Sequence, residues 1–362
     1  ILEMIDSHLC LVVDAVVDAD NPVWPSVVDT RTHECPGSDV PPSRVYRKIG
    51  APRGSTLYWD QPLIVAARAL SEVTGKPKHA RRVDAYLSAF LDRCVDESGM
   101  FLWGNHRYFD LFDERIVEFG HFHELRPITP AWELFYRLAP ERTVDYIAGM
   151  GRRHVYDPAS GGFNRHDDGE RGHAFLEAGG VLAESLAWAG ARSGRDDLCD
   201  MALRIARYSY THRNGVTGLV RNEPDHGRWD SKVTTTEVGL WTQSLLRAAG
   251  YTDNRDLVDI GRAATEAYLR FGYDCDAGRY YGQVAVETGE PVFPEAKGYR
   301  PNAYSDPWST DQWPTHDYPM PLAEACISLF QTTREPVFAD AVHRWARIVY
   351  DDRPSVTGDW TY

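Results

Sequence analysis

A unit of two helical stretches, a Gly-bearing turn and a short aromatic strand returns roughly every sixty residues along this chain, which restricts the fold to serially packed hairpins. The turn reads Asp96-Glu97-Ser98-Gly99-Met100-Phe101-Leu102-Trp103 in the first copy and Asp157-Pro158-Ala159-Ser160-Gly161-Gly162-Phe163-Asn164 in the second. Weaker copies stand at Asn214-Gly215-Val216-Thr217-Gly218-Leu219-Val220 and Cys275-Asp276-Ala277-Gly278-Arg279-Tyr280-Tyr281, with a fifth expected at Val356-Thr357-Gly358-Asp359-Trp360. In the first two copies the strand runs into a histidine, His106 and His166. Equivalent positions of neighbouring repeats lie side by side, so these two histidines are expected on one rim. The later copies carry Asn222-Glu223 and Gln283 there, groups suited to hydrogen-bonding a sugar rather than to holding a metal.

Apolar periodicity predicts an N-terminal helix from Ile1 to Val17, then helical pairs. These are Tyr58 to Thr74 with Lys78 to Val95, Pro130 to Leu138 with Glu141 to Val155, and His173 to Arg192 with Asp196 to Thr211. Lys232 to Ala249 pairs with Asn254 to Phe271, and Pro319 to Gln331 with Pro336 to Tyr350. Strands are expected after each second helix and at Arg279 to Val286 and Tyr299 to Tyr304. Stacked hairpins either form an open solenoid or close into a ring. The long connection from Asn21 to Ser55, and the loops from Arg213 to Ser231 and Gly272 to Tyr318, favour closure by covering one end. The expected fold is therefore an all-α-dominated α/α toroid with short strands at one end, as a single domain over residues 1–362. The binding cleft belongs at the covered end.

A formal net charge of −14 argues against nucleic acid as a partner, although Arg152, Arg153, Arg165 and Arg171 cluster well enough to hold an anionic ligand. Six scattered cysteines without CxxC spacing read as free thiols. No apolar run approaches the ~18 residues of a membrane span, and no basic segment of signal-peptide type opens the chain. A soluble protein with trimmed ends is expected, of open compartment and oligomeric state.

Ligand-type residues concentrate in Trp103-Gly104-Asn105-His106, His121-Phe122-His123-Glu124-Leu125-Arg126 and Asn164-Arg165-His166-Asp167-Asp168. Two imidazoles and a carboxylate suit Mn, Fe, Ni or Co with open positions left on the ion. Together with Thr56-Leu57-Tyr58-Trp59-Asp60-Gln61-Pro62, these motifs resemble polysaccharide lyase family 2, pectate lyases on an α/α toroid, in order from about Tyr58 to Tyr318-Pro319. The resemblance implies a divalent transition metal, manganese first and nickel or cobalt next, held by His106, Glu124 and His166. It implies Arg165 as the catalytic base and a later lysine as its assistant, here Lys297 with Lys232 as substitute. Asn105 in place of a second Gly, the spare His123 and a shorter chain depart from the family pattern.

The implied reaction is β-elimination from a 4-linked polyuronate, in which the C5 proton becomes acidic when charge on the adjacent carboxylate is neutralised. A guanidinium is an unusual base, its ordinary pKa exceeding about 12, and Tyr108 and His123 are the alternatives. Arg126, Arg171, Trp103, Tyr108 and His123 are the expected contacts to an acidic polysaccharide or oligosaccharide. Two other readings stand beside the lyase. A glycoside hydrolase on the same fold would use two carboxylates from Asp167, Asp168, Glu170 and Glu237, and related toroids host epimerases for which His173 or His316 would serve. A non-catalytic carbohydrate-binding repeat protein would need no His-Glu-His set.

Overall fold

A computed structural model describes residues 2–15, 20–29, 31–36, 53–104, 107–118, 123–224, 230–292 and 320–351. Chain contacts group into two compact units. The first comprises Ile1–His154 with His166–Gly169, the second Val155–Arg165 with Glu170–Tyr362.

The helices of the first unit are α1 (Leu2–Val13), α2 (Leu57–Thr74), α3 (Lys78–Arg93), α4 (Trp132–Leu138) and α5 (Pro140–His154). Gly75 stops α2 in the left-handed conformation (φ 68°), and Pro77 precedes α3, so the reversal follows from backbone chemistry alone. α3 buries Val83, Tyr86, Leu87 and Phe90 along one stripe. Three strands join this unit antiparallel in the order β1 (Gly54–Ser55), β2 (Arg107–Asp110) and β3 (Arg115–Glu118). The sequence reading missed them: β3 is largely exposed and has no apolar alternation to mark it.

In the second unit α8 (Thr235–Thr252) packs on both α6 (Leu176–Ser193) and α10 (Met320–Thr333). Each also packs against its hairpin partner, α7 (Asp196–Thr211), α9 (Arg255–Phe271) or α11 (Pro336–Asp351). α6 is buried on every face from Leu176 through Gly190, as an inner helix must be. Its Glu184 is 3% exposed and is held by two bonds of 2.7 Å from Arg247 of α8. Short antiparallel pairs link β4 (Val155–Asp157) to β5 (Gly162–Phe163), β6 (Lys232–Thr234) to β9 (Gln283–Ala285), and β7 (Tyr273–Asp274) to β8 (Arg279–Tyr280). The helix expected from Lys232 therefore starts at Thr235. Lys232–Thr234 is a strand, and Thr234 caps α8 by accepting from the Glu237 amide at 3.2 Å.

The sixty-residue repeat has a single physical basis. Each copy opens on an Asx residue whose carbonyl accepts from the amide of a left-handed glycine: Asp96 from Gly99 (2.9 Å), Asp157 from Gly161 (2.9 Å), Asn214 from Gly218 (3.0 Å) and Asp274 from Gly278 (2.8 Å). The Asx side chain accepts further bonds from the turn in all four. The glycines have φ between 67° and 83°, a region costly for a residue with a Cβ. Strands flank the second and fourth turns; the first has only an isolated bridge between Val95 and Phe101 and the third has none, contrary to expectation. The fifth copy, the strand expected at Tyr299 to Tyr304, Lys297 and His316 lie outside the described residues.

The cysteines described are all free thiols, as expected. Among the described residues no helix is long and apolar enough to cross a membrane.

Candidate active site

In the first unit the chain segments around Glu124 and His166 meet in an isolated antiparallel bridge between these two residues. The His166 Nε2 atom lies 3.8 Å from Glu124 Oε1, and its Nδ1 lies 3.8 Å from Asp168 Oδ2. The Glu124 side chain is 2% exposed and accepts from Arg126 at 3.1 Å on the same Oε1. Asp167 fastens the bridge: its amide donates to the His123 carbonyl (3.1 Å), its carboxylate accepts from the His123 amide, and Arg153 donates to it at 3.1 Å. His106, the third expected ligand, lies outside the described residues.

The Thr56–Pro62 segment explains itself as a scaffold for this place. Buried Asp60 accepts from Ser26 (2.6 Å), Ser55 and Tyr86 (2.6 Å), and burial pushes its carboxyl up to about 6. Ser26 Oγ accepts in turn from the Thr56 amide (3.0 Å), and Thr56 Oγ1 donates to the carbonyls of Leu102 and Gly104 (3.1 Å each). Gly104 thereby packs on Glu124. Its φ is 137°, and a Cβ there would stand 3.0 Å from Glu124 Oε2. The glycine of Trp-Gly-Asn-His is thus required by a close approach to the carboxylate.

Three expected substrate contacts are buried in this structure. Trp103 is 2% exposed and meets Trp132 edge to face, Tyr108 is 3% exposed in β2, and His123 is 2% exposed. His123 Nδ1 stands 2.8 Å from His154 Nε2, and its Nε2 3.0 Å from the Tyr146 hydroxyl. Burial, then the neighbouring His154, holds the His123 imidazole well below its usual range, while burial pushes the Tyr108 hydroxyl up. Spacing marked His123 as a ligand-type residue, but only packing shows that both ring nitrogens are spent inside the core. Arg126 is likewise committed, to Glu124 and to the face of Tyr58 at 4.4 Å. Despite burial, Glu124 and Tyr58 raise its guanidinium above the ordinary value.

Arg165 precedes His166 in the chain but belongs to the second unit, where its guanidinium lies 4.8 Å above the Phe175 ring and its amide donates to the His173 carbonyl at 3.1 Å. Arg171 is exposed and lies 5.5 Å over Tyr156. Of the carboxylates considered for hydrolysis, Asp167 braces the bridge and Glu237 is buried in the α8 cap, while Asp168 and Glu170 are exposed. A separate trio, Asp6, Cys10 and His79, brings ligand-type atoms within 4.8 Å of one another, with Lys78 Nζ donating to Cys10 Sγ at 2.9 Å.

Residues 54–178 match the family model of periplasmic pectate lyases, a span that holds the Thr56–Pro62 scaffold, Glu124 and Arg165-His166. A pectate disaccharide-lyase of Dickeya dadantii (strain 3937) is 33% identical over 104 residues, which are 28% of this chain and 19% of that relative. The match thus spans only about a fifth of the relative's length. Among solved structures, D-mannose isomerase superposes with a TM-score of 0.60 at 11% identity, covering 99% of this chain and 88% of the other. Cellobiose 2-epimerase from Bacillus thermoamylovorans B4167 gives 0.58 at 10% identity, covering 100% and 91%. At such identities the likeness shows the fold, which is the all-α-dominated α/α toroid the repeat predicted. These named relatives all act on carbohydrates.

Proposed function

We propose that the chain is a polysaccharide lyase that cleaves a 4-linked polyuronate of the pectate type by metal-assisted β-elimination. The observation that carries this reading is the juxtaposition of Glu124 and His166 inside the span that matches pectate lyases, with His166 at the repeat position equivalent to His106. The donor set fits a divalent transition metal. At 3.8 Å, His166 Nε2 and Glu124 Oε1 do not hydrogen-bond to each other, and a neighbouring imidazole and carboxylate are groups of the type that hold such an ion. Asp168 Oδ2 lies 3.8 Å from the far nitrogen, on the side where metal-binding histidines commonly face an outer carboxylate. His106 would complete the set.

When bound, the metal supplies Lewis acidity toward the uronate carboxylate, which makes the C5 proton removable. The protein's own residues do the rest. Buried Glu124 contributes a fixed negative charge, Arg126 orients that carboxylate, and the Asp167 brace keeps the two ligand segments in register. Arg165 is the proposed base at C5 and Lys297 its assistant, roles that rest on the resemblance. Exposed Arg171 offers a cation to a neighbouring uronate.

The test is to supply polygalacturonate with Mn, Ni or Co and follow ultraviolet absorbance of unsaturated uronate. Reducing sugar released without that absorbance would replace the lyase by a hydrolase; a chelator should abolish the lyase signal and added metal restore it.

A further inference from the structure

β-Elimination requires two proton transfers, one from C5 and one to the departing O4, and the second has had no residue assigned. The second unit contains a histidine built for such a task. His173 follows Gly172 (φ 110°) and itself takes the left-handed conformation (φ 53°), unusual for a side-chain-bearing residue. One carboxylate oxygen, Glu223 Oε1, holds it there, 2.9 Å from both the His173 amide and its Nδ1. Glu223 is 1% exposed, whereas two-fifths of the His173 side chain is exposed, so a buried anion fixes the tautomer and aim of a ring that reaches solvent. Phe175 neighbours both groups concerned: its ring is within 13° of parallel to the His173 ring, centroids 6.3 Å apart, and carries the Arg165 guanidinium at 4.8 Å.

We propose that His173, oriented by Glu223, is the general acid of the reaction; the assignment rests on the lyase reading above. As C5–H breaks toward the base, its electron pair forms the C4–C5 double bond. The C4–O4 bond breaks with its pair on oxygen, and the proton on His173 Nε2 passes to O4. The imidazole is left neutral and regains its proton from water.

The test uses the full chain with added metal, His173→Asn, which tolerates a left-handed backbone, and Glu223→Gln as a second variant. Each is assayed on an oligogalacturonide and on a galacturonate whose C4 substituent is fluoride, a leaving group that needs no proton. Expected is a loss of about 100-fold or more in kcat for His173→Asn on the oligogalacturonide, a smaller loss for Glu223→Gln, and near-wild-type rates for both on the fluoride. Equal losses on the two substrates, or no loss on either, overturn the acid assignment and leave the lyase intact. A wild type that forms no unsaturated product from either substrate overturns the lyase reading and the assignment with it.

Discussion

The Nε2 atom of His166 stands 3.8 Å from Oε1 of Glu124, and the same two residues pair through their backbones. Forty-two positions apart in sequence, they are tied by the bridge that Asp167 and His123 complete, so the spacing of the two donor atoms is set by main-chain hydrogen bonding. A site fixed in this way should bind metal without large rearrangement.

His166→Ala and Glu124→Ala should therefore each weaken metal binding by more than the ~10–100-fold that loss of an outer partner costs. Asp168→Asn should fall within that range. Metal titration by calorimetry, with metal content of the purified proteins, checks the order; binding unchanged in His166→Ala would remove it from the site.

Gly104→Ala places a methyl group 3.0 Å from Glu124 Oε2 in a conformation with φ 137°. A cost of about 1–3 kcal/mol is expected from the backbone alone. Because Glu124 must move as well, metal affinity should drop together with thermal stability. A variant with wild-type affinity and melting temperature would show that the close approach is not required.

His123→Ala should act on stability rather than on substrate affinity. It leaves a cavity and removes a partner from both His154 and Tyr146, an expected loss of about 2–4 kcal/mol in urea unfolding. A raised KM with unchanged stability would restore His123 as a substrate contact.

Asp60 gives a pH signature. Its carboxyl is raised from 3.8 to about 6 by burial, so the folded protein binds this proton more tightly than the unfolded chain. Its contribution is fully present below pH 3.8 and is lost as pH rises through about 6, to the extent of roughly 3 kcal/mol. Asp60→Asn has no such titration, so its deficit against wild type should shrink between pH 4 and pH 7. Parallel stability profiles for the two proteins would refute the shift.

The sequence by itself determined the helical hairpins, because apolar stripes and glycine stops are local and each is written within a few residues. It also fixed the repeat turns, where an Asx residue and a left-handed glycine meet within one stretch of chain, and it put His166 and Glu223 at turn ends, with Glu124 in the segment between the first two. Tertiary structure alone decided which of the polar groups face inward. His123 and Glu124 are neighbours with similar ligand chemistry, yet one is consumed by His154 and Tyr146 while the other is presented to His166. Nothing local distinguishes them, because the partners come from distant segments. The same holds for Glu223, which lies at a turn end in sequence and acquires a role only when His173, fifty residues earlier, folds against it. Hydrogen-bond partners across such distances are chosen by packing, and burial then decides which charges are kept.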